Sequence, residues 1–215
     1  FRLIYFDDML CFDELADLEN SLNSYTPKTY IPFCRFDLCQ NNIDGMQTII
    51  QDIIEIQSNA EREIKTPLSY MLGELICNIS QHSDGKYGYI FSQCLSQNKK
   101  SINICIADDG ISVFGSYVKA RRYLDIIDSN EMEALRLANE GYSTKDLPET
   151  ENRGFGISTT KRMLVEGLKG DFFMLSGGAF HRNDVNGSDY VKLPDMMNWM
   201  GTIVLMRIPV DVPQN

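Results

Sequence analysis

Glu74, Asn78 and His82 stand four residues apart in Gly73-Glu74-Leu75-Ile76-Cys77-Asn78-Ile79-Ser80-Gln81-His82. At about 100° per residue, a helix turns each of them only ~40° past the last, so the three form one line along its surface. A carboxylate, a carboxamide and an imidazole one turn apart offer a base, a hard oxygen ligand and a donor that switches with pH. The same row also suits a solvated helix face. Its neighbours place it more closely: Leu68, Leu72, Leu75, Ile76 and Ile79 fall within roughly a quarter turn, which puts the polar row at the edge of a buried face.

Three later segments carry chemistry of their own. Ile102-Asn103-Ile104-Cys105-Ile106-Ala107-Asp108-Asp109-Gly110 reads as a strand running into an acidic turn. A carboxylate held at a dry strand end accepts the exocyclic amine hydrogen of adenine and refuses guanine, which has a carbonyl there. An ordinary Asp-Gly turn closing a strand is the other reading of Asp108. Arg153-Gly154-Phe155-Gly156-Ile157 is a glycine pair opening a helix, where the backbone can approach a phosphate and helix-start N–H groups point at it. A plain loop-to-helix turn would look the same. A P-loop and a dinucleotide fold are set aside, because no Gly-Lys-Ser/Thr is present and no strand immediately precedes these glycines. Gly201-Thr202 heads an alternating strand to Pro209.

The elements that must position these groups follow from periodicity and turn chemistry. Met46, Ile49, Ile50, Ile53, Ile54 and Ile56 recur at helical spacing between Asn42 and Ala60. Thr66 as cap and Pro67 at the first helical position then start the helix that carries Glu74. Ser83-Asp84-Gly85 turns the chain into two strands, Tyr87 to Leu95 and Ser101 to Ala107. Phe114 to Ile127 and Asn130 to Glu140 read as helices. Asp128 with Glu131 resembles a capping box, and Gly141 acts as a stop. Tyr142 to Asn152 has no apolar period and reads as a mobile loop that includes Ser143 and Thr144. A helix from Ile157 to Leu168 follows, then a hairpin from Asp171 to His181 with Asn186-Gly187 as a further turn. Met196 to Met200, with the sole tryptophan, is apolar enough to pack, in the core or at an interface, with core the favoured reading.

Residues 1–40 read as a small α/β appendage or the end of an upstream domain. It comprises a strand at Leu3 to Phe6, a helix from Phe12 to Leu22 and a strand from Tyr30 to Phe36. Residues 41–215 form the main domain. The chain opens on Phe1 rather than methionine, compatible with a piece of a longer protein. A formal net charge of −10 argues against a nucleic-acid or anionic-membrane surface, and no stretch has the roughly 18 apolar residues of a membrane span. The six cysteines contain no Cys-x-x-Cys, which favours buried thiols in a reducing cytoplasm over zinc or disulfides. Neither His82 nor His181 has a second histidine at ligand spacing.

Taken together and in this order, the four segments resemble the boxes of the GHKL (Bergerat-fold) ATPases. That superfamily includes the gyrase B subunit, MutL, the large heat-shock chaperone, bacterial histidine kinases and anti-sigma serine kinases. The resemblance spans roughly residues 60–210. It implies an α/β two-layer sandwich with a mixed sheet covered on one face by helices. It also implies ATP and Mg²⁺, with Asn78 on the metal and Glu74 as base. Asp108 and Thr202 would lie on adenine, and Asp108-Asp109-Gly110-Ile111-Ser112 would correspond to Asp-x-Gly-x-Gly with Ser112 replacing the second glycine. Ser143, Thr144, His82, Arg153, Gly154, Phe155, Gly156 and Ile157 would face the phosphates, with the glycines hinging a lid. Glutamate at 74 and histidine at 82 bring the pattern nearest to the anti-sigma serine kinases. A kinase-like regulatory module in a bacterial cytoplasm, with a protein partner and a homodimer left open, is therefore the expectation. A non-catalytic partner-binding protein on the same fold is the alternative.

Overall fold

The computed structural model describes residues 9–12, 14–38, 43–95, 100–144 and 155–210. In chain order the elements are β1 (Leu10–Cys11), α1 (Leu15–Asn23), β2 (Tyr30–Asp37), α2 (Ile43–Ser58), α3 (Arg62–His82), β3 (Tyr87–Leu95) and β4 (Ser101–Asp108). They continue as α4 (Val113–Ala120), α5 (Leu124–Ile127), α6 (Glu131–Glu140), α7 (Phe155–Arg162), β5 (Asp171–Gly177), β6 (Ala179–Asp184), β7 (Gly187–Lys192) and β8 (Trp199–Pro209). The strands join in one sheet of order β1-β2-β3-β4-β8-β5-β6-β7. β1 runs parallel to β2 and the other neighbours are antiparallel, so the sheet is mixed. The fold is the expected α/β two-layer sandwich.

Alternation along the central strands shows which face is covered. Ile90, Ile102, Ile104, Ile106, Phe172, Met174, Val204, Met206 and Ile208 are buried and join one core with the helices, while their sequence neighbours are more exposed. α3 is held mainly by tertiary packing. Leu68, Met71, Leu72, Leu75 and Ile76 are almost fully buried, and each such side chain contributes about 1.5–3 kcal/mol, more than any intrinsic helix preference. The N-terminal elements belong to this same sheet and core: β1 and β2 form its edge, and Leu18, Leu22 and Ile31 lie in the main cluster. The strand expected at Leu3 to Phe6 lies outside the described residues.

Several expected boundaries differ. α3 begins at Arg62 rather than Pro67, because Ile64 is buried and the Ile64 and Lys65 N–H groups close a first turn on the Glu61 carbonyl. Pro67 then sits inside the helix with one backbone bond missing. The single helix expected from Phe114 to Ile127 is two, broken where Arg121 takes a left-handed conformation as the cap of α4. The cap of α6 is Asn130, whose Oδ1 accepts from the Met132 and Glu133 N–H groups. Asp128 instead ends α5, and Glu131 accepts from the Gly178 N–H at 2.7 Å. After Arg162, α7 passes into a π-helical turn, Met163–Gly167.

The segment from Met196 to Met200 is not core. Met196 is 91% exposed and Met200 79%. Met196 and Met197 lie between β7 and β8, and Trp199 and Met200 open β8 itself. Among the described residues, Cys11, Cys34, Cys77, Cys94 and Cys105 are free thiols. Burial pushes Cys34 up to about 12 and Cys94 and Cys105 to about 11, which removes these three as thiolate nucleophiles near neutral pH. No helix of the described residues is long and apolar enough to cross a membrane.

Candidate functional site

Because the apolar stripe of α3 is pinned to the sheet, its polar row has one place to go. Glu74, Asn78 and His82 line a cavity of about 260 Å³ between the helices and the ends of β4 and β8. Its apolar floor and walls include Leu75, Ile79, Ile106, Val113, Met174 and Val204. Ligand sites span roughly 300–1,000 Å³, so this volume suits a flat ring and its near neighbours, with the rest of a larger ligand outside.

Asp108 closes one end. It is 1% exposed, its Oδ1 accepts from the Gly110 N–H at 3.0 Å and its Oδ2 from the Thr202 N–H at 3.2 Å. Burial pushes its pKa up to about 7, the two backbone donors oppose that rise, and the neighbouring Asp109 charge adds to it. The Thr202 hydroxyl lies 3.0 Å from Ser176 Oγ, which donates to the Gly201 carbonyl at 3.2 Å and accepts from the Val113 N–H at 2.8 Å. Either hydroxyl can be the donor of that pair; when the Ser176 proton goes to the Gly201 carbonyl, Thr202 donates to Ser176 and turns only lone pairs toward the cavity. An ionised Asp108 and Thr202 then both accept, an arrangement matched by an amine and mismatched by a carbonyl.

At the opposite wall α7 lies against α3. A Cβ on Gly156 would come within 2.7 Å of Glu74 Oε2 and 3.0 Å of Asn78 Nδ2, so glycine is what lets the first turn of α7 lie flush on the polar row. Gly156 and Ile157 both line the cavity, in a first helical turn whose N–H groups have no partner within the helix. The Tyr70 hydroxyl, one turn before Glu74, hydrogen-bonds Thr159 of α7, and burial together with the Glu74 charge raises its pKa. Asn78 Nδ2 is buried without a hydrogen-bond partner.

The rim is made by residues 142–144, which follow α6 and line the cavity. Thr144 Oγ1 is 3.0 Å from His82 Nδ1 and 3.5 Å from Ser116 Oγ, and the Tyr117 hydroxyl donates to the Tyr142 carbonyl at 2.5 Å. The Tyr123 ring stands edge-on to both Tyr117 and Tyr142, which explains the chain reversal after α4.

Glu74, Asn78, His82, Asp108, Ser112, Ser143, Thr144, Gly156, Ile157 and Thr202 thus share one cavity. Gly110 stands behind it. A Cβ there would overlap the Ser83 carbonyl, so its contribution is to seat the turn after β4 against the end of α3. Phe155 opens α7, and Arg153 and Gly154 lie outside the described residues. Ser112 has φ −65° and caps α4, its Oγ accepting from the Gly115 N–H at 3.1 Å; the backbone makes no demand for glycine there. Sequence reasoning missed Ser176, which falls inside the expected hairpin from Asp171 to His181, and Ser116, Tyr117 and Tyr142, whose roles depend on partners remote in the chain. The other histidine, His181, stacks on the Tyr190 ring at 4.1 Å, where burial pushes its pKa down to about 4.

No cluster of three or more His, Cys, Asp or Glu side chains able to hold a metal occurs among the described residues. A site for Mg²⁺ would therefore rest on the Asn78 carboxamide with ligand oxygens and water, a set that suits an ion usually held by one or two protein groups. The unpartnered end of Asn78 fits it, since a half-turn of the amide exchanges oxygen and nitrogen. In comparisons with known proteins, no family model and no curated protein matches the chain.

Proposed function

We propose that this chain is an ATP-binding regulatory module of the GHKL (Bergerat-fold) type. In this reading it uses Mg²⁺ and either passes the γ-phosphate to a protein or hydrolyses ATP slowly. The observation that carries the reading is convergence: four segments spread from residue 74 to residue 202 bring a carboxylate, an amide, a strand-end acid and a glycine helix start to one cavity.

Asp108 and Thr202 accept from the adenine amine, with Leu75, Ile79, Ile106 and Met174 around the ring. The base lies at the closed end and the phosphates extend toward Gly156 and the rim, where His82, Ser143 and Thr144 supply polar contacts. Asn78 would be the residue that holds Mg²⁺, and the ion would supply positive charge to offset that of the phosphates. Glu74 takes the proton from the attacking water or protein hydroxyl as the new oxygen–phosphorus bond forms and the bond to the β-phosphate oxygen breaks, releasing ADP. A non-catalytic partner-binding role is the second reading, favoured by the exposed methionines and Trp199 beside the Asp108 end.

Thermal melting with nucleotides tests the proposal. At a concentration about a hundredfold above Kd, Mg-ATP should raise Tm by roughly 5–10 °C while Mg-GTP leaves it unchanged. Equal shifts would overturn the adenine assignment. Absence of both would overturn nucleotide binding and leave the partner-binding reading.

A further inference from the structure

The sheet has a second face, opposite the helices, and its composition is unlike a solvated surface. Strand pairing sets Tyr89, Ala107, Ile203, Leu175, Phe180 and Val191 side by side in one row across six strands. A parallel row holds Phe91, Cys105, Leu205 and Phe173. Rings are already paired across it: Phe33 stacks on Phe91 at 5.6 Å and Phe173 on Phe180 at 6.2 Å. None of these residues belongs to either hydrophobic cluster of the helical side, and Leu205 and Val191 are 38% and 47% exposed.

We infer that this face is where a second copy of the chain docks, sheet against sheet. Area is the first argument. Six strands at ~4.8 Å spacing and three residue rows ~6.7 Å apart cover roughly 29 by 20 Å. That flat footprint of roughly 600 Å² approaches the ~800 Å² of accessible surface that each partner buries in a standard interface, and side-chain relief raises it further. Charge is the second. Among the described residues the face carries Arg35, Arg182, Arg207 and, over the Tyr87 ring, Lys86, against Asp37, Asp109, Asp171, Asp184 and Asp189, so 4 − 5 = −1 of a chain total of −10. Two copies that meet here keep most of their like charge apart, whereas a strongly basic or acidic partner finds no net field to bind. The signs are also interspersed and internally paired, with Arg207 to Asp171 at 3.1 Å and Arg182 to Asp189 at 3.0 Å. A twofold contact requires a surface complementary to itself, which a balanced, ring-bearing sheet face provides when two twisted sheets pack at about −30°. The cavity lies on the helical side, so both copies keep theirs open to solvent and dimerisation is independent of nucleotide binding.

Sedimentation equilibrium of the whole chain, from about 1 to about 200 µM, tests this. The wild-type mass should rise from 24.5 kDa toward twice that value with concentration. Leu205→Glu should weaken association more than about thirtyfold, with the circular dichroism spectrum and any nucleotide-induced melting shift unchanged. Val191→Glu, at an exposed position near the sheet edge, repeats the test if the first variant misfolds. A single-chain mass across the whole range overturns the inference, as does undiminished association in folded Leu205→Glu or Val191→Glu.

Discussion

Replacing Asp108 by asparagine separates two effects that the structure combines in one side chain. The carboxylate accepts from two buried backbone donors, Gly110 N–H and Thr202 N–H, one on each oxygen. Asparagine keeps one acceptor and sets an NH₂ against the other donor, a loss of about 1–3 kcal/mol at any pH. The second effect depends on pH. Asp108 rises from an ordinary 3.8 to about 7 in the fold. Between these values the folded chain holds a proton that the unfolded chain has released, so stability falls as pH rises and levels off above about 7. From pH 5 to pH 8 the wild type should lose about 3 kcal/mol through this group, at about 1.4 kcal/mol per pH unit below the folded value. The variant loses none of it. Urea unfolding at both pH values should therefore find Asp108→Asn clearly less stable at pH 5 and equal to or more stable than wild type at pH 8. The comparison cancels every other titrating group the two proteins share. A swing smaller than about 1 kcal/mol, or one in the opposite direction, refutes the claim that burial governs this carboxyl group.

Gly110→Ala should lower stability by at least about 3 kcal/mol, seen as an early chemical melt, because backbone rather than a movable side chain occupies the space of the new methyl. Gly156→Ala meets the tip of Glu74, which can swing away, and comes within 3.0 Å of Asn78 Nδ2, so phosphate turnover should fall at least about tenfold and Mg-ATP affinity by calorimetry should weaken as well. Glu74→Ala should reduce γ-phosphate release or transfer by about 10²-fold or more and leave the Mg-ATP melting shift in place; unchanged turnover would remove Glu74 from the role of base. Tyr117→Phe removes the hydroxyl that holds the Tyr142 carbonyl and should cost about 1 kcal/mol, with faster amide exchange at residues 142–144.

The parts of the site readable from the chain were those written in short-range pattern. A 3.6-residue period is enough to place Glu74, Asn78 and His82 beside a buried stripe, and a strand ending in Asp108 carries its own alternation. Gly156 was legible for a similar reason, since a glycine in a helix's first turn asks what it makes room for. Ser176 was not, because its importance arises from β5 pairing with β8 and setting it opposite Thr202. Glu131 looked like half of a capping box, yet tertiary structure offers it the Gly178 N–H, a partner no local pattern announces. The break between α4 and α5 depends on the Tyr123 ring finding Tyr117 and Tyr142. Met196 to Met200 misled for the opposite reason, as apolar composition states a preference for burial without guaranteeing a surface against which to satisfy it.

The sole tryptophan has a practical use that follows from its position. Trp199 Nε1 donates to the Asp108 carbonyl at 3.3 Å while the ring remains 41% exposed, so the indole is anchored to the closed end of the cavity and still in contact with water. Any occupant that shifts the turn after β4 alters both the polarity around that ring and the bond that holds it. The chain thereby contains its own fluorescent gauge of occupancy, with no second indole to blur the signal and no label to attach.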